Sequence, residues 1–384
     1  MMRRASRLGI ALLALGIIVP GAARAVFYGW TDARLAFEMA RWEIGPEPFR
    51  QSAPSLAGTY VWGPRRDAQL TLRGSRASGD GSRLAPGASA TILIRHRPFR
   101  DWRFHLGIAT PSGLKDCDGA SLALARHAAE PLLALPDPDP ARGWRMHLSA
   151  LWGHVPQRGI GLLLGASVDL ATAFRATPLI DFDPADAFAA QAAAAWSGTH
   201  GHARVRLHAA RENAARAEGL VVRGGRTLMG LRLEGGLEAR ALRLGGSLSI
   251  TRSGICRTLN PDVYGYWLHP GPGSLGEIAI AVEPRAPLRV GPTLRLRPAL
   301  ELGWRRVLPE GLPLADGWVT TTGARCAIGD GSREIELGWA RERGRWRAGD
   351  VGPRASAEDL RGWRFDLALR WRYATADAAG EMGE

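Results

Sequence analysis

Residues 363–373 read Trp-Arg-Phe-Asp-Leu-Ala-Leu-Arg-Trp-Arg-Tyr, so every odd position of this stretch holds a large apolar or aromatic side chain. The even positions are charged, with Ala368 as the exception. Successive side chains of a β-strand point to opposite faces, and this alternation therefore predicts a strand with one apolar and one charged face. Such a strand belongs at a boundary between water and an apolar medium.

The rest of the chain shows strand periodicity with intervening turns. The same alternation recurs at residues 102–109, 144–152, 204–208 and 294–305. Glycine-rich turn signals occur at residues 79–82, 224–225, 235–236, 245–246 and 329–332. Longer stretches rich in proline and aspartate predict loops at residues 132–143, 178–186 and 260–276. The alanine-rich stretch from Asp183 to Trp196 predicts a short capped helix within a loop.

Residues 1–25 predict a secretory signal peptide that is cleaved after Ala25. Arginines precede an apolar run from residue 8 to residue 19, which Pro20-Gly21 ends before the small-residue site Ala23-Arg24-Ala25. A transmembrane helix needs about 20 apolar residues, and this run is too short. No later segment comes near that length, which excludes a helical membrane protein.

The chain of 384 residues carries a formal net charge of +13 and stays basic after loss of the signal peptide. Lys115 is the only lysine, so nearly all of this charge is arginine. Arginine holds phosphate and carboxylate in a planar fork, whereas lysine acts as a point charge. A GC-rich genome would also favour arginine over lysine everywhere. We therefore attach functional meaning to where the arginines fall.

The three cysteines, Cys117, Cys256 and Cys326, are an odd number for a chain sent to an oxidising compartment. At most one disulfide can form, and the candidate pairing is Cys256 with Cys326. No CxxC pair exists, so neither a zinc knuckle nor a thioredoxin-like redox site is indicated.

Aromatic spacing separates a transmembrane barrel, with its apolar face outward, from a soluble sandwich with that face inward. Trp144 and Trp152 share one strand face, as do Trp363 and Tyr373. With about 3.3 Å per residue and a tilt of about 40°, these spacings span roughly 20 and 25 Å of height. This matches the separation of the two aromatic girdles around a bilayer. The predicted girdle residues are Trp144, Trp152, Trp304, Trp363, Trp371 and Tyr373.

On the signal peptide, the alternating segments and the last strand, the chain resembles the outer-membrane β-barrel class of Gram-negative bacteria. The resemblance implies an all-β fold, an antiparallel transmembrane β-barrel of about 12–16 strands with long loops on one rim. The barrel would occupy residues 26–373, followed by a C-terminal tail at residues 374–384. Members of the class typically end on an aromatic residue, whereas here the tail follows Tyr373. From this sequence we expect no plug domain before the barrel and therefore no complete siderophore-type receptor.

The charged strand face predicts an arginine-rich lumen. The arginines opposite the apolar face are Arg103, Arg145, Arg204, Arg206, Arg295, Arg297, Arg305, Arg364, Arg370 and Arg372. Any polar lumen needs charged residues, and Glu301 and Asp366 would pair with some of these arginines. Rings of arginine also select anions, so the lumen could serve as an anion channel or docking cavity.

Other chemistry has weaker support. Barrel lipid hydrolases of the phospholipase A and lipid A deacylase types use a His-x-Ser pair, and His147 and Ser149 match it. Here Ala150 stands where the pattern has asparagine, and the pair lies on the charged face. The segments 116–119, with two aspartates, and 271–276, with a glycine fingerprint, are ordinary polar loops in our interpretation. His200, His202 and His208 share a face but do not converge, so no metal or cofactor is predicted.

We expect an outer-membrane pore or export and assembly conduit with an anion-favouring lumen. An outer-membrane lipid hydrolase using His147 and Ser149 is the alternative, and a periplasmic β-rich binding protein is the third. The expected partners are outer-membrane lipid, an anionic small molecule or polysaccharide, and the barrel-assembly and periplasmic chaperone machinery. Nucleic acid is not expected as a partner.

Overall fold

The computed structural model describes residues 29–44, 47–79, 82–83, 87–111, 143–154, 159–177, 180–254, 274–308, 316–330, 332–347 and 358–372. The predicted signal peptide, the C-terminal tail and the segment 116–119 lie outside these ranges, as do Tyr373, Cys117 and Cys256. In the part of the chain that is described, no helix has the length and apolarity to cross a membrane.

The described residues form a series of β-strands. In chain order they are β1 (Gly29–Ile44), β2 (Glu47–Gly63), β3 (Arg66–Gly79), β4 (Ser82–Arg83), β5 (Gly87–His96), β6 (Trp102–Ala109), β7 (Arg145–His154), β8 (Gly159–Ala171), β9 (Phe174–Thr177), β10 (Ile180–Asp183), β11 (Ala187–Ser197), β12 (Gly201–Glu212), β13 (Ala215–Ala217), β14 (Leu220–Arg223), β15 (Arg226–Glu238), β16 (Leu242–Ser253), β17 (Ser274–Pro284), β18 (Leu288–Arg289), β19 (Arg295–Leu308), β20 (Asp316–Gly329), β21 (Arg333–Arg347) and β22 (Glu358–Arg372).

The long strands close into one antiparallel barrel. Each pairs with the next long strand along the chain, and β1 pairs with β22 from Asp32 opposite Arg372 to Ile44 opposite Leu360. The closed circuit has 16 strands, which confirms the predicted fold class and lies within the predicted count. Closure leaves no sheet edge, as a bilayer requires. The short strands β9, β10, β13 and β14 form a separate four-stranded sheet from the two connections on either side of β11 and β12.

The two faces of the barrel wall differ as a transmembrane barrel requires. Partners across antiparallel strands share a face, so the pairing assigns every strand residue to the lumen or to the outside. The outside carries exposed apolar side chains on strand after strand, including Ile92, Leu162, Leu207 and Leu300. A soluble barrel would bury this face. The outward apolar band therefore argues against the third alternative, a periplasmic binding protein.

The connections differ between the two rims. We call the rim that holds the start of β1 and the end of β22 the terminal rim, and the opposite one the loop rim. At the terminal rim, short turns such as residues 198–200 and 239–241 join the strands, whereas residues 110–144 and 254–273 connect strands at the loop rim. In the terminal-rim turn after β20, backbone amides of Arg333 and Ser332 and the Ser332 hydroxyl donate to Asp330 and hold its carboxyl pKa below the ordinary value.

The predicted helix at residues 183–196 is wrong. Residues 187–197 form β11, whose backbone pairs along its whole length with β8 and β12. Phe188 and Trp196 face outward at its two ends, and all residues between them except Gln191 are alanine. Inside a barrel wall each backbone group must find a partner on a neighbouring strand, and this overrides the helix propensity of alanine.

Two predicted glycine turns are also wrong. Gly235 lies opposite Gly246, and Gly236 opposite Gly245, inside the β15–β16 pair. A Cβ atom at Gly236 would come within 2.6 Å of the His202 ring, so this glycine makes room for a lumen side chain rather than for a turn. The turn signals at residues 224–225 and 329–332 do fall between strands.

Candidate functional site

All of the predicted lumen arginines lie on the inward face of the wall. The cross-strand partners establish this, since Arg103 lies opposite Leu151, Arg206 opposite Arg232, and Arg297 opposite Ala327, each on an inward row. Of the predicted girdle tryptophans, the described ones all lie on the outward face. Trp102, beside Trp152, and Trp318, near Trp304, are outward aromatics that the sequence argument left out.

Several lumen arginines are held by nearby carboxylates on the same inner face of the wall. Arg305 donates to Glu342 at 2.9 Å, and Arg370 donates to Asp32 at 3.1 Å. The remaining pairs are Arg364 with Asp366 at 3.5 Å, Arg372 with Glu334 at 3.8 Å and Arg204 with Glu234 at 3.9 Å. These contacts fix the guanidinium groups against the wall and neutralise much of their charge locally.

Four lumen arginines have no such partner. Among the described residues, no carboxylate oxygen lies within the 4.0 Å limit of an ion pair from Arg103, Arg206, Arg295 or Arg297. Glu301, which was expected to neutralise this part of β19, pairs instead with Arg325 on β20 at 2.9 Å. The start of β19, at the terminal rim, therefore presents two uncompensated positive charges to the lumen.

Seven further arginines on the described barrel strands face inward but were not among the predicted lumen residues. They are Arg34, Arg73, Arg95, Arg226, Arg232, Arg243 and Arg325. For Arg232 and Arg243 the signal was available, since leucines flank each of them in period two. Most of this group are paired, for example Arg226 with Glu212 at 2.6 Å and Arg243 with Glu238 at 2.8 Å. These paired arginines make the lining of the lumen more polar but add little net positive charge.

The wall from β6 to β12 has a basic inner surface. Its inward cationic and imidazole side chains are Arg103, Arg145, Arg204, Arg206, His105, His147, His202 and His208. Inward carboxylates on the same strands are Asp169 and Glu212. The His202 and His208 rings lie against Gly236 and Gly230 of β15, which keeps them flat on the wall. Within the described residues, no group of histidine, cysteine or acidic side chains is arranged to hold a metal ion.

One sector of the lumen is packed rather than open. Trp42 and Glu342 are 0% exposed although both face inward, and Val319 and Leu360 beside them are also buried. A side chain at Gly362 would collide with the Trp42 ring, so the indole lies directly on the backbone of β22. Glu342 lies in this cluster and accepts from Arg305 and, at 3.3 Å, from Thr321. The cluster narrows the lumen along β19 to β2.

The His147 and Ser149 pair is in the lumen. His147 Nδ1 lies 2.8 Å from a carboxylate oxygen of Asp169 on β8, a contact that the sequence did not reveal. Ser149 lies opposite His105 and Ser167, and no hydrogen bond joins it to His147 in the described part of the chain. An oriented imidazole is present, but its hydroxyl partner is not engaged and faces the lumen rather than lipid.

We expect Ser149→Ala to leave lipid hydrolysis unchanged at the background level. A nucleophile needs its general base within hydrogen-bond reach, and Ser149 lacks that contact. Fatty-acid release from phospholipid micelles with calcium would measure the activity, with His147→Ala as the matched variant. Release by the native protein that disappears in both variants would make the hydrolase the leading function.

Comparison with protein-family models gave no match, and comparison with curated protein sequences gave none. Among solved structures, a bacterial polysaccharide outer-membrane secretin is similar at 12% identity and a TM-score of 0.49, covering 91% of this chain and 100% of the other. OccAB1 of Acinetobacter baumannii is similar at 8% identity and a TM-score of 0.48, covering 92% of this chain and 99% of the other. OprD of Pseudomonas aeruginosa is similar at 9% identity and a TM-score of 0.46, covering 92% of this chain and 97% of the other. These values carry no information about what this chain binds.

Proposed function

We propose that this protein is an outer-membrane pore or conduit whose lumen favours anions. The observation that carries the proposal is a set of inward arginines with no described carboxylate within ion-pair distance, on a wall whose other charges are mostly paired. They are Arg73, Arg103, Arg206, Arg295 and Arg297. Paired charges cancel at short range, whereas unpaired ones produce a field that attracts counter-ions into a narrow aqueous passage.

The lumen suits a solute that carries phosphate or carboxylate groups, such as an anionic small molecule or an acidic polysaccharide. Arginine binds both groups through paired hydrogen bonds. Outer-membrane lipid would surround the apolar band, and periplasmic chaperones and the barrel-assembly machinery would deliver the chain after cleavage of the signal peptide.

The outer-membrane placement predicts that the mature protein fractionates with the outer membrane and migrates differently in gels before and after boiling. A folded barrel resists detergent until it is heated, and it then unfolds. Membrane separation by density and a gel of heated and unheated samples would measure both properties. Recovery of the protein from the periplasm without detergent would contradict the placement.

The anion preference predicts a larger permeability for chloride than for potassium in a planar bilayer. Replacing Arg295 and Arg297 together with glutamine should lower the chloride-to-potassium ratio about twofold or more at 0.1 M salt, and less at 1 M, because the screening length falls from about 10 Å to about 3 Å. The reversal potential in a salt gradient measures this ratio.

The matched control is Arg66→Gln with Arg333→Gln. These two arginines lie at the same rim and change the net charge equally, but they face outward. They should leave the ratio unchanged. Cation preference in the native protein would show that the arginine face does not control permeation, and absence of conductance would favour a scaffold or assembly role over a pore.

A further inference from the structure

In the sector of the barrel formed by β19 to β22, β1 and β2, the outward face becomes basic toward the loop rim. Along β22 the outward side chains run from Trp371 through leucine and phenylalanine to Trp363, and Arg361 follows. Along β21, apolar side chains end at Trp339, and the next outward positions are Arg341, Arg343 and Arg345. The apolar band thus ends abruptly, and above it the barrel presents guanidinium groups to whatever surrounds it.

Neighbouring strands extend this basic zone. We define the outer arginine belt as Arg41 on β1, Arg50 on β2, Arg306 on β19, Arg361 on β22, and Arg341, Arg343 and Arg345 on β21. All face outward by their pairing, and all but Arg41 are exposed. The girdle residues Trp304, Trp318 and Trp363 lie among them. Tryptophan marks the membrane interface, so the belt lies at the level of lipid headgroups.

The belt brings like charges together. Arg41 lies directly opposite Arg50, and Arg343 directly opposite Arg361. Like charges in direct cross-strand positions destabilise a sheet unless a counter-charge lies between them. Within the chain, that counter-charge is scarce.

Among the described residues, two carboxylates lie within ion-pair distance of belt arginines. Glu43 lies 3.2 Å from Arg41, and Asp359 lies 3.8 Å from both Arg345 and Arg361. No described carboxylate lies within ion-pair distance of the other belt arginines. The positive excess is therefore available to an external anion.

We propose that the outer arginine belt binds the phosphate groups of a phosphorylated glycolipid of the lipid A type. The inference rests on the proposed outer-membrane placement, in which long loops face the cell exterior and lipid A fills the surrounding leaflet. The guanidinium forks suit phosphate oxygens, and the apolar band below the belt suits the acyl chains attached to the same headgroup. One ligand would thereby satisfy both surfaces and relieve the repulsion between Arg343 and Arg361.

The test uses the full-length mature protein in phosphatidylcholine nanodiscs that contain diphosphorylated lipid A, dephosphorylated lipid A, or neither. Native mass spectrometry counts the bound lipid A, and the temperature of the gel-mobility shift reports barrel stability. We expect lipid A to bind and to raise that temperature only when it is phosphorylated. Arg343→Gln with Arg361→Gln should weaken binding at least about tenfold, since each loses a charge-assisted hydrogen bond.

Arg66→Gln with Arg333→Gln, at the terminal rim, is the control and should bind lipid A as the native protein does. If the glutamine pair does not fold, Arg343→Lys with Arg361→Lys keeps the charge but loses the forks and should show an intermediate loss. Equal binding of dephosphorylated lipid A, equal loss in the control, or no loss in the belt variants would each overturn the proposal.

The belt and the pore can fail separately. Ion selectivity is measured in phosphatidylcholine bilayers without lipid A, where the belt has no ligand. Preference for chloride without lipid A binding would contradict the belt proposal and leave the pore proposal standing. Lipid A binding without conductance would contradict the pore proposal and leave the belt proposal standing.

Discussion

Replacing Glu342 with leucine is expected to lower the free energy of unfolding by about 3–5 kcal/mol, because it leaves a buried charge without its partner. Glu342 is inaccessible to solvent, and Arg305, which donates to it at 2.9 Å, has a side chain that is only 10% exposed. Arg364 lies 3.8 Å from Glu342, and the substitution gives it no other buried carboxylate partner. Equilibrium unfolding in urea, in the presence of lipid, would measure the change.

The double variant Glu342→Leu with Arg305→Met should recover most of that loss. A buried ion pair can often be replaced by apolar residues of similar volume at little cost, whereas removal of one partner is expensive. Glu283→Gln is the control, because its contact with Arg243 is exposed and should contribute less than about 1 kcal/mol. Equal effects at Glu342 and Glu283 would show that the packed cluster is not dry.

Strand alternation was sufficient to predict the class of fold. Segments such as residues 102–109 and 363–372 have large apolar side chains at every second position, and these became barrel strands with the expected faces. Alternation did not identify the strand in which most side chains are small. In β11, alanine occupies most positions on both faces, so period two is visible only in the outward Phe188 and Trp196 and the inward Gln191, and helix propensity gave the wrong answer.

The candidate site was harder to predict than the fold. Alternation assigns Arg295 and Arg297 to the lumen, but it cannot show that Glu301 pairs with Arg325 on the next strand and leaves them uncompensated. The packed cluster was invisible for the same reason. Its members Trp42 and Glu342 are 300 positions apart in the chain and meet only because β1 closes on β22 beside β21.

Replacing Leu367 with arginine tests whether the apolar band lies in lipid. Leu367 faces outward between Phe37 and Leu337, midway along β22 between Trp363 and Trp371. An arginine at the bilayer midplane costs about 2–4 kcal/mol, and the cost falls to about 0–1 near the interface. We therefore expect Leu367→Arg to lower the free energy of unfolding by about 2–4 kcal/mol in lipid bilayers.

Thr320→Arg is the matched control, because Thr320 also faces outward but lies at the level of the outer arginine belt, opposite Arg343. Without an anion, the new arginine would repel Arg343 directly opposite and lose the 3.0 Å hydrogen bond from the Thr320 hydroxyl to the Arg343 carbonyl. In a bilayer that contains phosphorylated lipid A, phosphate would lie between the two guanidinium groups, so the remaining cost should be below that of Leu367→Arg. Urea unfolding of both variants in the same vesicles gives the comparison. If Thr320→Arg costs as much as Leu367→Arg, the cost does not depend on depth, and the apolar band is not the part of the barrel that lies in the hydrocarbon core.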